Sequence, residues 1–138
     1  MAHTLPFKLI TPTRIVFEGD AELVIATTTE GEEGILPQHA PFLAALKPGV
    51  LRANVIEQNA GKRLELATSE GFMQALPDRI TVLVDEALAF DDIDVAAARE
   101  ELSSALDRQK NASGEAYARQ QAIIDFANAK LRLTNHQI

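Results

Sequence analysis

The chain has 138 residues and a mass of 15.0 kDa, the size of one ordinary domain or two small ones. It has no cysteine, which excludes disulfide scaffolds, thiolate zinc sites and cysteine nucleophiles. A net charge of -7 disfavours a broad nucleic-acid-binding surface, because phosphate neutralisation needs clustered cations. The first residues lack a signal-peptide pattern, and no apolar run approaches the roughly 20 residues that cross a bilayer. We therefore expect a cytoplasmic protein with no nucleic-acid partner and no direct membrane insertion.

Helix-breaking residues divide the chain into two parts. All six prolines and six of the seven glycines lie within the first 86 residues. From Ala87 onward there is no proline, only one glycine, and many alanines, which is typical of long helices. We predict a domain over residues 1–86, a linker over 87–92 and a second domain over 93–138.

The first part is rich in short β-branched and apolar runs separated by turn residues. Ile80, Val82 and Val84 alternate with Thr81, Leu83 and Asp85, which is the period of a strand with one buried face. The predicted strands are 7–10, 14–17, 22–29, 50–56, 63–68, 72–75 and 80–84. Residues 58–62 are predicted to connect two strands as a hairpin, and residues 31–34 to form a turn. These features predict an N-terminal antiparallel β-sandwich or flattened barrel.

The second part is predicted to be an antiparallel two-helix hairpin. The first helix is expected to begin near Ile93, where Asp91, Asp92 and Asp94 offer capping carboxylates. Capping is favoured over a cation site, because the spaced oxygen ligands of a calcium loop do not follow. Residues 111–114 interrupt the pattern, and a second helix is expected over 115–133.

The second helix carries two apolar stripes displaced around its axis. The stripes consist of Tyr117, Ile124, Ala127 and Leu131, and of Ala122, Phe126, Ala129 and Leu133. Two interpretations are open. Either only one stripe packs and the alanines are neutral helix formers, or the helix uses different faces in different states.

No catalytic or metal site is predicted. His3, His39 and His136 are far apart in sequence and have no metal-ligand spacing, and no nucleophile or phosphate-loop motif is present. His39, between two prolines, is either a contact residue in an exposed loop or a turn residue bonded to the backbone.

Positive charge is concentrated near the C-terminus of this acidic chain. The cations from residue 108 onward are Arg108, Lys110, Arg119, Lys130 and Arg132. They form either a solvated helix face or a basic surface for an acidic partner.

Three segments resemble one protein family. Residues 34–49, GILPQHAPFLAALKPG, are similar to the signature loop of the epsilon subunit of F-type ATP synthases, commonly GILPGHAPLLTALKPG. Residues 7–12, FKLITP, and residues 71–83, GFMQALPDRITVL, resemble further stretches of the same family. Their order, the chain length and the predicted layout also agree, so the resemblance covers the whole chain.

The resemblance implies a non-catalytic subunit of the rotor's central stalk, which couples ion flow through the c-ring to ATP synthesis. The expected partners are the gamma subunit and the c-ring, held by the sandwich through a surface that includes Glu32, His39 and Pro41. The hairpin is expected to inhibit ATP hydrolysis when it rises toward the beta and alpha subunits, with the five C-terminal cations as its inhibitory basic face. The complex places the chain at the cytoplasmic face of the cell membrane, as a peripheral component.

Some family members bind ATP through an I-D-x-x-R-A motif, and this chain departs from it. Ile93 and Asp94 match the first two positions and Ala98 matches the last, but Ala97 stands where the motif has arginine. Arg99 lies two positions beyond the motif arginine, about 200° around the helix. We therefore expect no cofactor. A nucleotide sensor whose hairpin closes over ATP is the alternative function, and an unrelated sandwich enzyme or ligand-binding protein is a third.

Overall fold

The computed structural model of the chain describes residues 3–136, which form nine strands followed by a short 3-10 turn and two helices. The strands are β1 (Leu5–Ile10), β2 (Ile15–Thr28), β3 (Gly31–Ile35), β4 (Phe42–Leu46), β5 (Gly49–Glu57), β6 (Ala60–Thr68), β7 (Gly71–Leu76), β8 (Arg79–Val84) and β9 (Ala87–Leu88). The turn is Phe90–Asp92, and the helices are α1 (Val95–Gln109) and α2 (Gly114–His136).

The strands form a β-sandwich whose layers are joined at both edges. The hydrogen-bonded order is β1-β8-β7-β4-β2-β5-β6-β9, with β3 on β2. Because β1 also pairs with the first half of β2, the strands β1, β8, β7, β4 and β2 form a closed ring. Among the described residues every strand pairing is antiparallel except that of β1 with β8. The predicted sandwich followed by a helical pair is confirmed, with this one parallel pairing added.

The main core lies between the layers and is built from alternating strand residues. Leu51, Ala53 and Val55 of β5 and Ile80 and Val82 of β8 are at most 1% exposed. Among residues 3–136, the buried members of this cluster come from residues 5–87, and none comes from α1 or α2. The sandwich therefore has a core of its own, as expected for an independently folding unit.

The outer face of β5 and β6 is covered by α2. Phe126, Ala129 and Leu133 form a second buried cluster with Ala67 of β6, and Val50 packs against it from β5. Leu88 and Ile93 are partly buried against the same cluster. In the part of the chain described, α2 is thus the helix that packs on the sheet, while α1 packs on α2.

Members of both stripes of α2 are buried in this single arrangement, although Tyr117 is 47% exposed. Phe126, Ala129 and Leu133 face the sheet, whereas Ile124 and Ala127 are buried outside that cluster, on the side where α1 packs. The interpretation that only one stripe packs is therefore wrong. The C-terminal half of α2 lies between two partners, so two states are not required to explain its pattern.

The strand predictions were wrong in three respects. Residues 31–34 form most of β3 and pair with β2, so they are a strand and not a turn. The runs 14–17 and 22–29 are one strand, β2, because residues 18–20 stay extended while they pair with β1. Residues 42–46 form β4, and Ala87 and Leu88, which the predicted linker contained, form β9; neither strand was predicted. The predicted connection at 58–62 is shorter, since Gln58 and Asn59, with φ of 52° and 65°, make the turn alone.

The helices begin close to the expected positions. Ile93 is extended and Asp94 is the N-cap of α1, with its Oδ1 accepting a hydrogen bond of 3.1 Å from the amide of Ala97. Of the three predicted capping carboxylates only Asp94 caps α1, because Asp91 and Asp92 belong to the preceding 3-10 turn. α2 begins at Gly114 and continues beyond the predicted end at residue 133.

Candidate functional site

An exposed apolar surface lies on the sheet face formed by β4, β7 and β8. Leu43, Phe72 and Leu83 are 71%, 57% and 48% exposed. The strand register places Ala45, Phe72 and Leu83 side by side, with Ile10 of β1 next to Leu83. We call Ile10, Leu43, Ala45, Phe72 and Leu83 the apolar face. Within residues 3–136 no helix packs on β7 or β8, in contrast to β5 and β6.

The apolar face was missed by the sequence analysis, although a signal for it was present. Leu83 breaks the polar side of the alternation in β8, and Phe72 is apolar beside the buried Met73. A strand with large apolar residues on both faces either is buried on both faces or presents one of them to a partner.

The loop between β3 and β4 projects a proline-rich turn. The amide of His39 donates a 3.2 Å hydrogen bond to the carbonyl of Leu36, with Pro37 and Gln38 between them. Proline at the second position and a φ of 67° at Gln38 are typical of a type II turn. Leu36 is 58% exposed and Pro41 is exposed.

His39 is bonded to the backbone and is also partly exposed, while its role as a contact residue stays a prediction. Its Nδ1 lies 2.8 Å from the carbonyl oxygen of Ala40, and its ring packs edge-on against Phe42 at 5.1 Å between centroids. The ring is nonetheless partly exposed. It therefore fixes the loop and remains accessible to a partner.

Gln38 occupies a backbone conformation that favours glycine. Glycine is the common residue at this position in the signature loop that residues 34–49 resemble. We expect Gln38→Gly to raise the free energy of unfolding by about 0.5 to 1 kcal/mol, because relief of the left-handed strain exceeds the added flexibility of the unfolded chain. Chemical denaturation measures this change. Gln74→Gly, at an exposed position inside β7, is the control and should be destabilising.

Glu32 points toward the hairpin side of the sandwich. Its Oε2 lies 2.6 Å from Nη2 of Arg52 on β5. Both residues line a cavity of about 390 Å³ that also contacts Glu65 of β6 and Arg132 and Leu133 of α2. Glu32 and His39 are therefore close in sequence but have different surroundings.

The five C-terminal cations do not form a single exposed face in this arrangement. Arg108, Lys110, Arg119 and Arg132 are exposed. Lys130 is buried, with its Nζ 3.2 Å from Oε1 of Glu101 and 4.5 Å from the ring centroid of Phe126. Lys130 therefore links the two helices in this state.

The remnants of the ATP motif have structural roles. Ile93 packs against the α2 cluster, and Asp94 caps α1. Ala97 occupies the position of the motif arginine and is exposed. Ala98, which matches the final alanine of the motif, is 1% exposed, whereas Arg99 is exposed. The residues present therefore do not reproduce a phosphate-binding arginine at this helix start. Within residues 3–136 no group of three or more metal-ligating side chains was found, and no helix has the length and apolar composition to cross a membrane.

Comparison with known proteins identifies the family. Residues 4–90 match the family described as "ATP synthase, Delta/Epsilon chain, beta-sandwich domain". An ATP synthase epsilon chain of Chromobacterium violaceum is 37% identical over 130 residues, which cover 94% of this chain and 91% of the relative. The chain belongs to the family of ATP synthase epsilon chains. Another epsilon chain, from Ruminiclostridium cellulolyticum, is 36% identical over 135 residues, with 97% and 98% covered.

Two solved assemblies contain chains with the fold of this epsilon family member. A chain of the Euglena gracilis mitochondrial ATP synthase, in a structure of OSCP/F1/c-ring, aligns with a TM-score of 0.78 at 19% identity, covering 96% of this chain and 82% of that one. A chain of the Tetrahymena thermophila mitochondrial ATP synthase, in a structure of the central stalk and c-ring, gives a TM-score of 0.62 at 15% identity, with 96% and 97% covered. At these identities the alignments show the fold.

Proposed function

We propose that the chain is a non-catalytic rotor subunit in the central stalk of an ATP synthase, where it couples the ion-driven c-ring to the catalytic head. The observation that carries this proposal is the unequal covering of the sandwich. α2 packs on β5 and β6, whereas Leu43, Phe72 and Leu83 leave the opposite apolar face open. An apolar face of this kind is typical of a surface that is buried in a complex. In the assembled enzyme the chain is then peripheral, at the cytoplasmic face of the cell membrane.

The gamma subunit is the proposed partner of the apolar face. A sheet of four neighbouring strands offers a broad and rigid surface, since each strand is hydrogen-bonded within the closed ring. Such a surface suits a permanent contact that must transmit torque without deforming. Its large central side chains, Phe72 and Leu83, are expected to contribute most of the binding energy.

Leu83→Glu tests this interface. We expect the substitution to weaken copurification of gamma with a tagged copy of the chain by more than about tenfold, because it places a carboxylate in the centre of a desolvated contact. Leu106→Glu is the matched control, since Leu106 is 44% exposed on α1 and lies outside the apolar face. Equal recovery of gamma with both variants would rule out this surface as the gamma contact.

The c-ring is the proposed partner of the β3–β4 loop. Leu36 and Pro41 are exposed there, and the type II turn together with the His39 contacts holds the loop in one shape. Glu32, at the other end of β3, is proposed as a further contact of the sandwich with the ring. A preformed loop loses little conformational entropy on binding, which favours a contact with a rotating ring.

The helical hairpin, the predicted domain over residues 93–138, is the proposed regulator of ATP hydrolysis. Three α2 side chains, Phe126, Ala129 and Leu133, form its buried cluster with the sheet, so the docked state depends on a small contact. Release would free these side chains to pack along gamma, and it would bring Arg108, Lys110 and Arg119 toward acidic surfaces of the beta and alpha subunits. Lys130 joins that basic face only if its contact with Glu101 opens.

A further inference from the structure

A cluster of four charged residues adjoins the contact between α2 and the sheet. Glu32 of β3, Arg52 of β5, Glu65 of β6 and Arg132 of α2 line the same cavity of about 390 Å³. Leu133 lines this cavity and also belongs to the buried cluster that holds α2 on the sheet. The electrostatics of the cavity therefore act directly where the hairpin is docked.

Arg52 is the central member of this cluster. It follows Val50 by two residues and so lies on the same sheet face, beside the apolar docking contact. Glu65 is its direct cross-strand neighbour, and Glu32 accepts a 2.6 Å hydrogen bond from its Nη2. The Nε of Arg52 is enclosed and has no hydrogen-bond partner among the residues described. An incompletely satisfied guanidinium depends strongly on the carboxylate that it does contact.

Charge balance gives each member a predictable effect on docking. With Glu32 ionised and bound to Arg52, the cluster holds two carboxylates and two guanidinium groups. Removing the charge of Glu32 leaves two guanidinium groups and one carboxylate lining the cavity, which disfavours the docked position of α2. Removing the charge of Arg52 leaves Arg132 in a cavity lined by two carboxylates, which favours that position.

We propose that Glu32, at the start of β3, couples a partner contact at this end of the strand to the docking of the hairpin. A partner cation or amide donor that draws Glu32 away from Arg52 weakens the docked state, and by linkage a docked hairpin lowers the affinity of Glu32 for that partner. The regulatory consequence, a signal from the ring contact to the inhibitory hairpin, rests on the proposed function. The coupling itself is a property of the chain and can be measured without other subunits.

The test uses the full chain labelled at two introduced cysteines, Asp78→Cys on the sandwich and Ser103→Cys on α1, both at exposed positions. Because the chain has no native cysteine, the labels report only the distance between these sites. Hairpin release is followed by fluorescence energy transfer as urea is added. We expect Glu32→Gln to shift the docking equilibrium toward release by about threefold, the magnitude of a partly exposed ion pair, and high salt to reduce the shift.

Glu33→Gln is the matched control, because Glu33 is the next residue of β3 and lines a different cavity with Phe42 and Leu43. It carries the same charge change and should leave the equilibrium unchanged. Arg52→Gln is expected to shift docking in the opposite direction to Glu32→Gln, which general damage to the sheet would not do.

The decisive measurement is Glu32→Gln in an Arg132→Gln background. If the coupling acts through Arg132, the effect of Glu32→Gln disappears there. Equal effects of Glu32→Gln and Glu33→Gln, or a full effect of Glu32→Gln without the Arg132 charge, would overturn the proposal. A failure of gamma copurification would instead count against the proposed function, and the two outcomes are independent.

Discussion

Removal of residues 93–138 is expected to raise the rate of ATP hydrolysis by the assembled ATP synthase severalfold while leaving gamma bound. The hairpin is the proposed inhibitory element, and its docking on the sandwich involves a small buried cluster from α2. A ligand or partner needs only a few kcal/mol of differential binding to exchange two such states. Steady-state hydrolysis by complexes reconstituted with full-length and truncated chains measures the effect.

The sandwich is expected to tolerate this truncation. Among residues 3–136, its main core contains strand residues, including Ala87 of β9, and no residue of α1 or α2. Truncation uncovers Val50, Ala67 and Leu88, which is a limited apolar area compared with that core. Bound gamma in the purified truncated complex would show that any change in hydrolysis comes from loss of the hairpin and not from loss of the subunit.

A reversible lock provides the matched control for truncation. Val50→Cys and Leu133→Cys place two thiols in the same cluster, and bridging them holds α2 on the sheet. The bridged complex should hydrolyse ATP as fast as the truncated one, and reduction should restore inhibition. An unchanged rate after both truncation and bridging would exclude the hairpin as an inhibitor.

Local patterns predicted most of the fold because they depend on neighbouring residues. Ile80, Val82 and Val84 are buried as their alternation indicated, and Asp94 caps α1 as its position suggested. Considered locally, residues 31–34 predict a turn, because two glycines flank two carboxylates. They form a strand because β2 is long enough to provide backbone partners up to Thr28, a fact that only the tertiary arrangement supplies.

The candidate sites were predictable to different degrees. The β3–β4 loop was identified through its motif, and the apolar face had a weak signal in Leu83. The contact of Arg52 with Glu32 had none, since 20 residues separate them and the pairing requires β3 and β5 to lie on opposite edges of β2. The burial of Lys130 was also unpredictable, because it depends on Glu101 in the other helix.

Gly71→Ala is expected to cause the largest loss of stability among single substitutions considered for the sandwich. A Cβ at this position would lie 1.9 Å from the carbonyl oxygen of Leu83 and 2.8 Å from Cα of Val84. Both are backbone atoms of β8, so no side-chain rotation can relieve the overlap. β7 and β8 must separate at a point where Gly71 also pairs with Leu46 of β4.

We expect this substitution to lower the free energy of unfolding by about 3 kcal/mol or more, with a fall in melting temperature of roughly 10 °C. Gly61→Ala is the matched control, because a Cβ at Gly61 would meet no atom within 4 Å. Thermal and urea unfolding of the two variants compare the same change in a crowded and an open strand position. A similar stability for both would contradict the close approach of β7 and β8. Because Phe72 and Leu83 flank this contact, the approach also sets the shape of the apolar face, so a folded Gly71→Ala chain should bind gamma more weakly than Gly61→Ala.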